Sequence, residues 1–170
     1  MKKKCLSFNY IILALFCQIA ILSQPVNAIT ESQSRIISEN CTNIHQTLET
    51  LQKIDSRTRT YLGSYYERIL SKYMIPLNAA LAKNSIFNSD LADNQVRFKD
   101  AKNDFAAQFT NYQRALEELV HYDCYTDPSG FYSRLSPLRA ARERVRVGTI
   151  TLNNLIVEHR TLVKNLEETL

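Results

Sequence analysis

Two residue pairs in this chain combine a thiol and an imidazole at helical spacing. Cys41 and His45 are four positions apart, and His121 and Cys124 are three positions apart. Either spacing places both side chains on one face of an α-helix. Two thiolates with two imidazoles can bind zinc tetrahedrally, whereas two cysteines in an oxidising compartment form a disulfide. The redox compartment therefore decides which chemistry to expect.

Residues 1–28 contain the three parts of a cleavable signal peptide in the required order. Lysines at positions 2 to 4 precede an apolar run that is densest from Tyr10 to Leu22, and Pro25 and the small-residue sequence Val26-Asn27-Ala28 follow. The apolar run is shorter than the about 20 residues that a membrane-spanning helix needs. We therefore predict an exported protein, of the cell envelope or secreted, that is cleaved after Ala28. A retained segment that tethers the chain to a membrane is the alternative.

Cleavage after Ala28 would leave Cys41 and Cys124 as the remaining cysteines of the chain. Such a pair in an exported protein predicts a disulfide and no bound metal. Cleavage would also remove three lysines and lower the formal net charge from +4 to +1. A nearly neutral chain has no general attraction to nucleic acid, so we expect no nucleic-acid partner.

No residue set in the sequence predicts catalysis or cofactor binding. A nucleophile needs a base and a third, orienting group, and no serine or cysteine has a convincing set at suitable spacing. His159 stands alone on a predicted apolar stripe, where most histidines are core or rim residues. The acidic pairs Glu117-Glu118 and Glu167-Glu168 are consecutive, so their side chains diverge around a helix. The sequence therefore predicts a protein that is not an enzyme.

The elements that position these residues are predicted to be helices. Glycine is scarce after residue 28, no alternating β-branched run occurs, and apolar residues recur at spacings of three and four. We predict a single domain over residues 29–170, with helices at about 30–82, 88–122 and 128–169. The apolar stripes comprise Ile37, Cys41, Ile44, Leu48, Leu51, Leu62, Tyr65 and Ile69; then Leu91, Phe98, Phe105, Phe109, Tyr112, Leu116 and Leu119; then Phe131, Leu135, Leu138, Val145, Leu152, Ile156, Val163 and Leu166.

The positions of the cysteines agree with a hairpin of the first two helices. The midpoint between Cys41 and Cys124 falls next to the predicted turn at Lys83-Asn84-Ser85. Facing positions of an antiparallel hairpin are equidistant from its turn, so the expected fold class is all-α. Its expected architecture is an antiparallel three-helix bundle with coiled-coil-like packing, stapled by one disulfide. Pro76 is expected to kink or end the first helix, and Pro137 could do the same in the third.

The same register predicts a polar layer inside the bundle. Positions at equal distances from each of the two predicted turns face each other, and this rule pairs Asp55 with a position near Arg142. We therefore expect these two residues to meet, beside Gln108 or Tyr112. A buried ion pair of this kind fixes helix register at little net gain in stability. Arg142 also belongs to an arginine-rich face, which we expect to be solvated, with binding of an anionic polymer as the alternative.

Aromatic residues gather around Cys124 and the turn that follows it. Tyr122, Tyr125, Phe131 and Tyr132 surround this end of the predicted bundle. We expect them to cover the disulfide. Because tyrosine is a common binding anchor, two or more exposed rings would make this tip a candidate interaction site.

Three segments of the chain, Arg35 to Cys41, Asp123-Cys124 and Thr151 to Ile156, resemble a set of exported proteins from candidate-phyla bacteria with reduced genomes, of the Saccharibacteria type. The resemblance spans most of the chain after residue 28. It implies a bacterial envelope or secreted location and supplies no established activity or functional residues. It also implies that the acceptor-like sequence Asn40-Cys41-Thr42 is not glycosylated.

Two functions from different classes remain after these exclusions. The first is a non-enzymatic structural or interaction protein that presents a tip or a face to another envelope or extracellular protein. The second is a helical bundle that binds a small ligand or a metal. An exposed apolar strip would favour a protein partner, whereas a cavity with polar groups would favour a ligand.

Overall fold

The computed structural model describes residues 29–169 of the chain, and these residues form an all-helical bundle. The predicted signal peptide lies outside the described residues. No helix in the described range is long and apolar enough to cross a membrane. The elements are α1 (Glu31–Glu39), α2 (Cys41–Ile69), a π-helical segment (Leu70–Met74), α3 (Ile75–Lys83), α4 (Ser89–Val120) and α5 (Pro128–Glu167).

The first predicted helix, at about 30–82, is divided at two places. Asn40 ends α1, and α2 begins at the next residue. The π-helical segment ends two residues before Pro76, and the chain then continues as helix to Lys83. A proline ring inside an α-helix clashes with the carbonyl group four residues earlier, and the wider π turn gives that carbonyl room. Pro76 is therefore accommodated without ending the run of helical residues.

Side-chain caps fix the starts of three helices. Thr30 and Gln33 form a reciprocal capping box at the start of α1. The side chain of Asn88 accepts a hydrogen bond from the backbone N–H of Leu91, and that of Asp127 accepts one from Gly130. These side chains satisfy N–H groups that have no partner within the helix. Pro137 lies inside α5 without ending it.

The predicted stripe of α4 is confirmed, because each of its seven members is buried. The stripe of α5 is buried at Phe131, Leu138 and Val145, and again at Leu152 and Ile156. The stripe of α1 and α2 contributes mainly partly buried side chains that pack against this core. Tyr66 follows Tyr65 in sequence and was not a member of the predicted stripe. It is buried and packs edge-on against Phe98 and Phe105.

Bonds between elements connect the bundle along its length. A disulfide joins Cys41 to Cys124, with their Cα atoms 5.6 Å apart. Further along α2, Lys102 of α4 donates to Glu67 at 2.5 Å. The Nδ2 group of Asn78 in α3 donates to Gln95 of α4 at 2.7 Å. Between α4 and α5, Nδ2 of the buried residue Asn94 donates to the carbonyl oxygen of Leu155, and Arg97 pairs with Glu158.

Candidate functional site

The thiol and imidazole groups singled out from the sequence meet only in part. Cys41 and Cys124 are joined by the disulfide, and Nε2 of His45 lies 4.0 Å from the sulfur of Cys41. The same nitrogen lies 2.9 Å from the carbonyl oxygen of Tyr122. His121 is exposed and caps the end of α4 instead of joining this cluster. His45 thus forms a hydrogen bond across the staple, and the four-residue set does not assemble.

The predicted meeting of Asp55 and Arg142 is wrong. The partner of Asp55 is the hydroxyl of Tyr112, which donates to its Oδ2 at 2.5 Å. Arg142 is exposed on α5, and no ion pair joins it to Asp55 in the described range. Burial and the neighbouring carboxylate raise the pKa of Tyr112 above its usual range, while the charge of Arg142 opposes this shift. A long arginine side chain can reach solvent from this layer, so the carboxylate is paired by a neutral hydroxyl.

The predicted aromatic tip is divided between core and surface. Phe131 is buried and packs against Tyr122, so it is a core residue and not an interaction anchor. Tyr122 donates a hydrogen bond to Asp127, and the guanidinium group of Arg134 lies 4.0 Å from the centre of its ring. Tyr125 is 70% exposed and Tyr132 is 37% exposed. Two of the four residues are therefore available at the surface.

A different feature, a groove between the first helical run and the end of α5, was not predicted. It has a volume of about 700 Å³ and is largely apolar. We call it the π-segment groove, because the π-helical segment and α3 form one of its walls. Its lining comprises Tyr65, Ile69, Lys72, Tyr73, Met74, Pro76, Leu77, Ile156, His159, Arg160, Val163, Lys164 and Glu167. The volume is in the range of small-molecule sites, and the groove is open to solvent along one side.

His159 is a buried polar residue in the wall of this groove. The residue is only 9% exposed, and its Nδ1 atom is buried without a hydrogen-bond partner among residues 29–169. Burial lowers the pKa of His159, so the imidazole is neutral at neutral pH. Buried polar atoms usually have a hydrogen-bond partner, so the unpaired Nδ1 of His159 is unusual.

The rim of the groove carries an excess of positive charge. Lys72, Arg160 and Lys164 are exposed there, and Glu167 is the acidic residue of the lining. Lys164 lies 3.7 Å from Glu168, which follows the groove residues in sequence. Neither Lys72 nor Arg160 has a carboxylate within ion-pair distance among residues 29–169. Two cations at the rim are therefore free to meet an anion.

Sequence reasoning missed this groove because its residues come from segments about 80 positions apart. Two signals pointed toward it separately. Pro76 marked an irregularity in the first helix, and His159 was a polar residue on an otherwise apolar stripe. π-helical turns are frequent at functional sites, which gives the two signals together more weight than either alone.

Comparison with known proteins supplies no family for this chain. No protein-family model, no curated protein and no solved structure matches it.

Proposed function

We propose that this protein is a non-enzymatic binding protein whose helical bundle holds a small ligand in the π-segment groove. The observation that supports this proposal is a largely apolar groove of about 700 Å³, with a histidine in its wall whose buried Nδ1 has no hydrogen-bond partner in the part of the chain that the structure describes. An apolar site with few polar groups is the usual form of a small-molecule site. The proposal thus favours the second of the two functions expected from the sequence.

The bundle that carries the groove is, in this proposal, an antiparallel three-helix bundle with coiled-coil-like packing. The contacts between elements support it. As residue numbers rise along α2, the numbers of their partners fall from Cys124, just past α4, into α4. Cys41 meets Cys124, Asp55 meets Tyr112, and Glu67 meets Lys102. The second hairpin is supported in the same way by Gln108 with Arg144 and by Asn94 with Leu155.

We place this protein outside the cytoplasm, in the envelope or secreted, with residues 1–28 removed. The signal-peptide pattern and a disulfide-bonded cysteine pair support this location. Expression in a bacterium with an export pathway, followed by intact-mass measurement, tests it. A chain that begins at Ile29 and lacks two hydrogens is the expected product, whereas the uncleaved mass would indicate the membrane-tethered alternative.

A neutral apolar dye tests whether the groove is an accessible binding site. Nile red should bind the full chain with an increase in fluorescence, since it prefers apolar surroundings. Val163→Glu, which places a charge in the groove wall, should weaken this binding by about tenfold or more. Val157→Glu is the matched control, because Val157 is on the same helix, is 60% exposed and does not line the groove. Equal loss in both variants, or no binding at all, would contradict the proposed function.

An interaction protein is the second candidate function, and the exposed rings of Tyr125 and Tyr132 favour it. Both tyrosines lie near the disulfide, far along the bundle from the π-segment groove. Crosslinking from each of these two positions, followed by mass spectrometry in the native host, tests this candidate. One partner captured from both positions would support it, and capture no greater than from Tyr61, which is also 70% exposed, would contradict it.

A further inference from the structure

The π-segment groove combines three features that select a type of ligand. Its floor is apolar, with Met74 and Ile156 buried beneath it. Its rim is cationic at Lys72 and Arg160, neither of which has an ion-pair partner in the described part of the chain. Its wall contains His159 with an unsatisfied nitrogen. Apolar surface favours an alkyl or aromatic tail, and the cations favour a negatively charged head group.

His159 is suited to donate a hydrogen bond into the groove. Its ring makes no side-chain hydrogen bond in residues 29–169, and Nδ1 is the nitrogen that is enclosed by protein. An enclosed N–H without a partner costs more than an enclosed lone pair on an aromatic nitrogen, which favours the tautomer with its proton on Nε2. Nε2 is not among the buried unpartnered atoms of residues 29–169, and His159 lines the groove, so we take Nε2 as the donor that faces it. The neutral ring therefore offers one N–H donor and adds no charge to be neutralised.

We propose that the groove binds an amphipathic anion, a molecule with one carboxylate or similar acidic head and an aliphatic tail. The head lies at the rim between Lys72 and Arg160 and accepts a hydrogen bond from His159, and the tail covers Met74 and Ile156. This inference rests on the proposed ligand-binding function and specifies the class of ligand.

A small molecule fits the groove better than a segment of another protein. About 700 Å³ lies within the range of small-molecule clefts, and the thirteen lining residues are fewer than the about 20 to 30 residues that each side of a stable protein interface uses. Charge complementarity excludes a cationic amphiphile, because three cations and a single carboxylate line the groove. The alkyl carboxylate is thus the simplest molecule that matches both the floor and the rim.

Calorimetric titration of the full chain with three twelve-carbon probes tests the proposal. The probes are dodecanoate, 1-dodecanol and dodecyltrimethylammonium, each used below the concentration at which it forms micelles. Dodecanoate should bind at least about tenfold more tightly than the other two, because only its head group complements the rim. Equal affinity for all three would overturn the anion assignment while leaving the binding function in place. Absence of binding by these probes and by Nile red would overturn both.

Variants separate the roles of the rim and of His159. Arg160→Glu should weaken dodecanoate binding about five- to tenfold. Arg139→Glu, an exposed charge reversal elsewhere on α5, is the control and should change neither dodecanoate nor Nile red binding. His159→Leu should keep the fold, which circular dichroism checks, and weaken dodecanoate binding about fivefold. Dodecanoate affinity unchanged in both Arg160→Glu and His159→Leu would overturn the proposed binding mode.

Discussion

The hydrogen bond from Tyr112 to Asp55 determines how the protein should respond to changes at either residue. Tyr112 is buried and Asp55 is partly buried, so loss of the hydroxyl leaves a carboxylate in the bundle with less solvation than in water. Tyr112→Phe should lower the free energy of unfolding by about 1–2 kcal/mol. Urea denaturation of the variant and of the parent protein measures this difference.

A double-mutant cycle shows whether the two residues act as a pair. Tyr112→Phe with Asp55→Leu should cost less than the sum of the two single changes, because the double variant leaves no unpaired group. Arg142→Ala is the control and should change stability by less than about 0.5 kcal/mol, since its side chain is exposed. Strict additivity at Asp55 and Tyr112, or a large effect at Arg142, would contradict this account.

His159 should make stability depend on pH in the weakly acidic range. Burial lowers its pKa below the ordinary value of 6.5. Well above pH 6.5 the ring is neutral in both states and has no effect on the folding equilibrium. As the pH falls below 6.5, the unfolded chain gains a proton that the folded chain does not, so the folded state loses stability until its own pKa is reached.

Thermal unfolding between pH 7 and pH 5 measures this dependence. The parent protein should lose stability over the interval, and His159→Leu should lose less. The carboxylates contribute little above pH 5 because their unperturbed pKa values lie near 4. His121→Leu, at an exposed position, serves as the control and should retain the slope of the parent protein. An identical slope in His159→Leu would show that this ring does not carry the effect.

At the scale of elements, the repeat of apolar residues contained most of the information about the fold. The stripe of α4 could be predicted because spacings of three and four are specific to a helix with one buried face. The break at Asn40 and the π-helical segment could not, because they depend on how one helix meets its neighbours. The π-segment groove was also beyond prediction. Equal distances from the turns bring the end of the first helical run close to the end of α5, but spacing does not show that a cleft stays open between them.

The buried amide of Asn94 connects α4 to α5, but one of its atoms lowers the stability of the fold. Its Nδ2 group donates to Leu155 at 3.1 Å, but its Oδ1 atom is buried without a partner. Asn94→Leu removes both the bond and the unsatisfied oxygen at similar volume, so stability should stay equal or rise by about 1 kcal/mol. Asn78→Leu is the contrasting variant and should lower stability, because the amide of Asn78 donates both to Leu91 and to Gln95. Chemical denaturation measures the free energy of unfolding of both variants. A clear decrease in Asn94→Leu would contradict the destabilising effect assigned to Oδ1.

On the scale of the whole molecule, the disulfide and the π-segment groove lie at separate places along the first helical run. Cys41 begins α2, and the groove is reached at about residue 69, which corresponds to roughly 40 Å of helix at 1.5 Å per residue. Between the two places Arg144 of α5 donates to Gln108 of α4, and beside the groove Asn94 and Arg97 of α4 bond to Leu155 and Glu158. The groove should therefore keep its shape when the disulfide is removed.

α1 should depend on the disulfide much more than the groove does. This helix contains no buried residue. Outside its own backbone it is held by the neighbouring staple, by a bond from Ser38 to the carbonyl oxygen of Tyr125 and by the partly buried side chain of Ile37, which packs against the core. Replacing Cys41 and Cys124 by alanine should lower stability by about 2–5 kcal/mol, because the bond closes a long loop of the unfolded chain. Hydrogen exchange should rise throughout α1 and the start of α2, while Nile red affinity stays within about twofold at a temperature where the variant is folded. Protection of α1 equal to that of the parent protein would contradict this dependence, and a collapse of dye binding in the folded variant would show that staple and groove are coupled.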